Sequence, residues 1–64
     1  MSIGQTIKTI RKQRGLSQLA LAIEADCTQA TVHSIEVGKT NPRIGTLEKL
    51  VEAMGANLVI TIEV

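Results

Sequence analysis

No tryptophan, tyrosine or phenylalanine occurs among the 64 residues. The chain thus has no aromatic platform on which unpaired bases could stack, which argues against single-stranded nucleic acid as a ligand. Its core must be built from Ile, Leu, Val, Ala and Met, a palette suited to small, close-packed helices. Cysteine is nearly absent. Cys27 alone allows neither an internal disulfide nor a cysteine-based metal cluster, which fits a reducing compartment. No apolar run approaches the ~20 residues of a membrane span, and no basic-then-apolar signal pattern opens the chain, so a cytoplasmic protein without membrane contact is expected. Catalytic sets are missing as well: there is no nucleophile with base and orienting group, no paired carboxylates and no phosphate-cradling glycine loop. The expectation is a protein that is not an enzyme and needs no cofactor.

Net charge is also scarce, at +1. The distribution says more than the sum. Lys8, Arg11, Lys12 and Arg14 crowd the first fourteen residues without an acid among them, Lys39 and Arg43 follow later, and Glu48, Glu52 and Glu63 lie toward the C-terminus. One end of the domain is thereby polarised positive. Sixty-four residues make one small domain, which buries roughly 60% of its unfolded surface and gains from a partner subunit. With 44% hydrophobic residues the chain is too apolar to stay disordered.

What is present is organised around Ser17 to Gly38. Two short helical patterns, each opened by a hydroxyl residue, are separated by Ala25-Asp26-Cys27. This is the pattern of a helix-turn-helix. Ser17 is the expected N-cap of the first, with Leu21, Ala22 and Ala25 turned inward on the 3.6-residue period. Thr28 is the expected N-cap of the second, which turns Val32 and Ile35 inward and leaves Gln29, Ala30, His33 and Ser34 on an outer face, where a helix in a groove would meet bases. Gly38 ends it. Asp26 is expected in the left-handed conformation, and Cys27 as a small buried apolar group.

Ahead of this unit, Ile3, Ile7 and Ile10 predict an amphipathic helix from Ile3 to about Arg14, closed by Gly15. After it, Lys39 to Arg43 reads as a surface loop, and Leu47, Leu50, Val51 and Met54 predict a fourth helix from about Ile44 to Met54, closed by Gly55. Gly45 weakens its first turn. From Asn57 the period changes to two. Leu58, Ile60, Ile62 and Val64 share one face, which predicts a short C-terminal strand. Leu19 and Ile23 lie beside the main apolar stripe of the second helix, and the strand or a partner is expected to cover them.

Ile3-Gly4, Ile7, Ile10-Arg11, Gly15-Leu16-Ser17-Gln18, Leu21-Ala22, Thr28-Gln29, Thr31-Val32, Ile35-Glu36, Gly38-Lys39, Asn41-Pro42, Leu47, Leu50 and Met54-Gly55 together resemble the Cro/repressor-type helix-turn-helix family, also called the XRE family. The resemblance implies a mainly α fold: a four-helix lambda-repressor-like domain over residues 1–55, here followed by a strand over residues 56–64 that pairs in a dimer. It implies double-stranded DNA as partner. Gln18 matches the family's phosphate-contacting glutamine. Thr28, Gln29, Ala30 and Ser34, with His33 beside them, fall where bases are contacted. Lys39, Thr40 and Arg43 fall in the loop that touches the DNA backbone. Arg11 and Glu36 match a partly buried ion pair between helices one and three. Three departures stand out: Asp26 replaces the usual glycine, Leu19 and Ile23 replace polar residues, and the strand replaces a fifth helix, as in antitoxin-type members.

Each position also has a plainer reading. Gln29 has the side chain to read adenine N6 and N7, or is a solvated surface residue. Ala30 touches a thymine methyl or only lets the helix approach. His33 bonds guanine or phosphate. With Cys27 it makes too small a set for a metal. The function expected is a sequence-specific DNA-binding transcriptional regulator, a repressor acting as a homodimer on a palindromic operator. The alternatives are an antitoxin that binds a toxin protein and represses its own operon, and an interaction module without DNA binding.

Overall fold

The computed structural model describes residues 2–59, and these form four helices: α1 (Ile3–Gln13), α2 (Gln18–Glu24), α3 (Gln29–Glu36) and α4 (Ile44–Ala53). Three of them open on a hydroxyl. Ser17 Oγ accepts from Ala20 N at 3.0 Å and Thr28 Oγ1 from Thr31 N at 3.2 Å, so each satisfies a backbone donor that its helix leaves free. Ser2 heads α1 in a full capping box: its Oγ accepts from Gln5 N while Gln5 Oε1 accepts from Ser2 N. The fourth helix is capped by Arg43 without a side-chain bond.

All four helices end alike. The amide of Leu16 donates to Arg11 O, that of Cys27 to Ala22 O, that of Lys39 to Ser34 O and that of Ala56 to Val51 O, each paired with a bond from the preceding residue to the carbonyl three positions before it. This double closure needs a left-handed residue at its centre. Gly15, Gly38 and Gly55 supply it in three cases. Asp26, with φ 55°, supplies it in the turn between α2 and α3, as its short polar side chain allows.

The core is aliphatic throughout. Ile7 of α1, Leu21, Ala22 and Ala25 of the α2 segment, Val32 and Ile35 of α3, and Leu50 and Met54 from the α4 segment are buried together, with Ile10, Leu16, Cys27, Leu47 and Ala53 packed around them. Cys27 is thus half-buried rather than fully enclosed. Ile3 also departs from the inward pattern, being half exposed at the start of α1. Leu19 and Ile23 are 52% and 70% exposed, so nothing among the described residues covers them.

Asn57 to Val59 carry no regular structure, and a strand has no second strand there to pair with. Leu58 is half-buried. Ile60, Ile62 and Val64 lie outside the described residues.

Candidate nucleic-acid interface

The inner side of α3 is anchored by Val32, Ile35 and Glu36, all buried, which forces its other side outward. Thr28, Gln29, Ala30 and His33 are exposed there, while Ser34, expected on the same face, is half-buried near the end of the helix. The Thr28 hydroxyl is already engaged, by the Thr31 amide and, at 2.9 Å, by the Thr31 hydroxyl. A shallow notch of about 360 Å³ is lined by Gln18, Gln29, Ala30 and His33, so α2 and α3 contribute to one surface. Lys39, Thr40 and Arg43 are exposed in the loop that leads to α4. Ser34 O accepts from both Lys39 N and Thr40 N, which fixes the start of that loop to the end of α3.

Behind this surface lies the ion pair. Arg11 Nε donates to Glu36 Oε2 at 2.7 Å and Nη2 to Glu36 Oε1 at 3.0 Å, a bidentate arrangement with both side chains almost wholly buried. The third arm of the guanidinium, Nη1, donates to Leu16 O at 2.8 Å. One residue of α1 therefore ties down both α3 and the chain entering α2. Burial pushes the Glu36 carboxyl up, but hydrogen bonds from Arg11 and Gln18 and the charges of Arg11 and Lys8 outweigh it, holding it below the ordinary carboxylate value. Arg11 moves further above its already high value, chiefly through its hydrogen bond to Glu36.

Gln18 is less simply placed than its family role implies. Its Nε2 donates to Glu36 Oε1 at 3.2 Å and stands 3.5 Å from His33 Nδ1. The glutamine at the head of α2 is thus bonded from behind by the ion pair and faces His33 of α3 in front. Sequence spacing carries no signal for a meeting of residues 15 and 18 positions apart. Gly4, in the run that carries the resemblance but given no role there, marks a close approach of α1 to α3: a β-carbon there would run into Ile35 O and lie 3.0 Å from Glu36 O. Among the described residues, no three His, Cys, Asp or Glu side chains are grouped to hold a metal ion. Burial pushes the Cys27 thiol up, which keeps it protonated.

A four-helix frame that buries one side of α3 and presents the other beside the head of α2 defines a helix-turn-helix module of the DNA-binding kind. The HTH_3 helix-turn-helix model matches residues 7–60, and the chain belongs to this family, of the XRE or Cro/repressor type. Members are transcriptional regulators rather than enzymes. Over 55 residues the chain is 42% identical to the immunity repressor protein of Bacillus phage phi105 and 38% identical to the HTH-type transcriptional regulator PuuR of Escherichia coli (strain K12). Each match takes in 86% of this chain, but the chain spans only 38% and 30% of those two proteins. Among solved structures, a mutant of the restriction-modification controller protein C.Esp1396I superposes with a TM-score of 0.82 at 26% identity, covering 84% of this chain and 70% of that one. The P22 c2 repressor, in complex with a synthetic operator, also gives 0.82, at 23% identity over 89% of this chain and 86% of that one; this likeness concerns the fold.

Proposed function

We propose that the chain is a sequence-specific double-stranded-DNA-binding transcriptional regulator, a repressor that binds a palindromic operator as a homodimer. The observation that carries this reading is the exposed row Gln29, Ala30 and His33 on a helix whose opposite side is locked into the core. In this arrangement α3 enters the major groove and Gln29 reads a base edge. Gln18, Lys39, Thr40 and Arg43 hold phosphates and set the register. The two roles respond differently to substitution. Gln29→Ala costs ~1–3 kcal/mol on the preferred site and relaxes preference at one base pair, because phosphate contacts remain. Lys39→Ala weakens all duplexes about equally and flattens the salt slope by roughly one unit. Duplexes selected from a random pool, titrated by both variants, separate these outcomes. If Gln29→Ala binds every sequence as the parent does, α3 is not the reading helix.

The dimer rests on the other side of the molecule. An apolar groove of about 390 Å³ runs between α1 and α4, lined by Ile7, Ile10, Leu47, Val51 and, where the chain leaves α4, Leu58 and Val59. The alternation Leu58, Ile60, Ile62 and Val64 suits a strand, and a strand needs another to satisfy its backbone. The same segment of a second copy, antiparallel about a two-fold axis, is the simplest supplier. It would hold two α3 helices about 34 Å apart, the separation of successive major grooves. In sedimentation at micromolar concentration the intact chain is then a dimer, whereas Ile60→Asp yields a monomer that has lost operator affinity. A monomeric intact chain refutes the arrangement. A second reading, an antitoxin that also represses its own operon, draws on the exposed Leu19 and Ile23, an apolar pair that a toxin protein would cover.

A further inference from the structure

Glu36 is a buried charge that reaches the notch between α2 and α3 through a neighbour. Its side chain is 1% exposed, too deep for a phosphate or a base to touch. Oε2 accepts from Arg11 Nε, whereas Oε1 accepts twice, from Arg11 Nη2 at 3.0 Å and from Gln18 Nε2 at 3.2 Å. The ion pair is complete with the two bonds from Arg11. The third bond fixes Gln18. An ionised carboxylate only accepts hydrogen bonds, so the end of the Gln18 amide turned toward it is the NH2 end, and a carbonyl oxygen there would meet an atom of like charge. Arg11 and Gln18 both help to hold the Glu36 carboxyl below its ordinary value, which keeps it ionised at neutral pH. The amide therefore keeps this orientation. Nε2 carries two N–H bonds, and Glu36 takes one of them. The other is left for a ligand in the notch that Gln18 shares with Gln29, Ala30 and His33. A half-buried glutamine so held has already given up much of the rotamer freedom that a surface glutamine loses on binding.

We propose, building on the DNA-binding reading above, that Glu36 is a positioning residue for DNA: it holds the Gln18 amide in place before the duplex arrives, so that the remaining N–H meets a phosphate oxygen with little further loss of freedom. Arg11 holds Glu36 in turn, and the line from Arg11 through Glu36 to Gln18 joins α1, α3 and α2. The ion pair thus serves the binding surface without touching the ligand.

The test uses the full chain and a labelled mixed-sequence duplex, since phosphate contacts ignore sequence, with anisotropy titrations at a temperature where circular dichroism shows every variant folded. Arg11→Met combined with Glu36→Leu removes the acceptor of Gln18 and strands no charge. It loses roughly fivefold in affinity, the cost of ordering a freed glutamine. Gln18→Ala loses roughly tenfold, as a hydrogen bond to a charged phosphate provides. The triple variant loses no more than Gln18→Ala alone. A pair that served stability only would leave affinity unchanged, and one that acted on DNA by itself would add its loss to that of Gln18→Ala; either result overturns the proposal. Nuclear magnetic resonance of the free parent gives a check that needs no variant. The side-chain amide of Gln18 relaxes there as a rigid group and that of the exposed Gln29 as a mobile one, and equal mobility of the two also overturns the proposal. If the parent binds no duplex at any salt concentration, the DNA-binding reading falls as well, whereas binding with additive losses sinks the positioning role alone.

Discussion

Arg11→Met alone, or Glu36→Leu alone, is expected to cost ~3–5 kcal/mol, while the two changes combined cost far less than their sum. The asymmetry follows from burial. Both side chains are shielded from water, so each single change strands a charge whose desolvation is no longer offset, and in Glu36→Leu the guanidinium keeps only Leu16 O as a partner. The paired replacement removes both charges and fills the space with methylenes. A domain of 64 residues has in total ~3–10 kcal/mol of stability, so either single variant loses much of its folded population. Urea midpoints for the parent, both single variants and the double variant measure the coupling. Small, additive losses would mean that the pair contributes nothing.

The same residues predict opposite pH slopes. In the parent, Glu36 titrates below its unfolded value, so the unfolded chain binds the proton more readily. Its contribution is fully present above the ordinary carboxylate value of about 4.5 and is lost as pH falls through the lower folded value. Arg11→Met removes the group whose hydrogen bond and charge held Glu36 down and leaves the burial that pushes it up. The folded state of that variant binds the proton more tightly. Its stability therefore declines as pH rises through the raised value, and thermal melts from about pH 3 to pH 7 should show the two trends crossing.

How far the chain could be read before its coordinates depended on the distance over which a residue acts. Ser17, Thr28, Gly15, Gly38, Gly55 and Asp26 act within a turn of their own position, and each sits where its local chemistry places it. The Ser2 to Gln5 box is equally local and follows the same spacing rule. The inward faces of α2 and α3 were legible from period alone, as Leu21, Ala22, Val32 and Ile35 are all buried. Ile3 is the exception, half exposed at the groove that Leu47 and Val51 of α4 also line. Ser34, expected on the outer face, is half-buried where the chain folds back at the end of α3. The joint action of Gln18, His33 and Glu36 depends on how α2 crosses α3, and no spacing within one helix encodes a crossing.

Gly4 belongs to this last class and supports the largest local prediction. Exchanging a helix-interior glycine for alanine ordinarily stabilises by up to ~1 kcal/mol, because alanine has less backbone freedom to lose. Gly45, in the first turn of α4, has nothing within 4 Å of the place its β-carbon would take, so Gly45→Ala should follow that rule. At Gly4 the sign reverses. The added carbon meets Ile35 O and lies 3.0 Å from Glu36 O and 3.1 Å from the Glu36 α-carbon, all of them backbone that no rotamer change can move aside. Relief requires α1 to retreat from α3, which stretches the two bonds between Arg11 and Glu36 and opens the core at Ile7. Overpacking of this kind costs ~1–3 kcal/mol, and its setting against backbone, together with the strained ion pair, puts Gly4→Ala at the upper end. Denaturant midpoints moving in opposite directions for the two alanines establish that α1 and α3 are in backbone contact at Gly4. If Gly4→Ala is as stable as Gly45→Ala, the helices are farther apart than their hydrogen bonds imply.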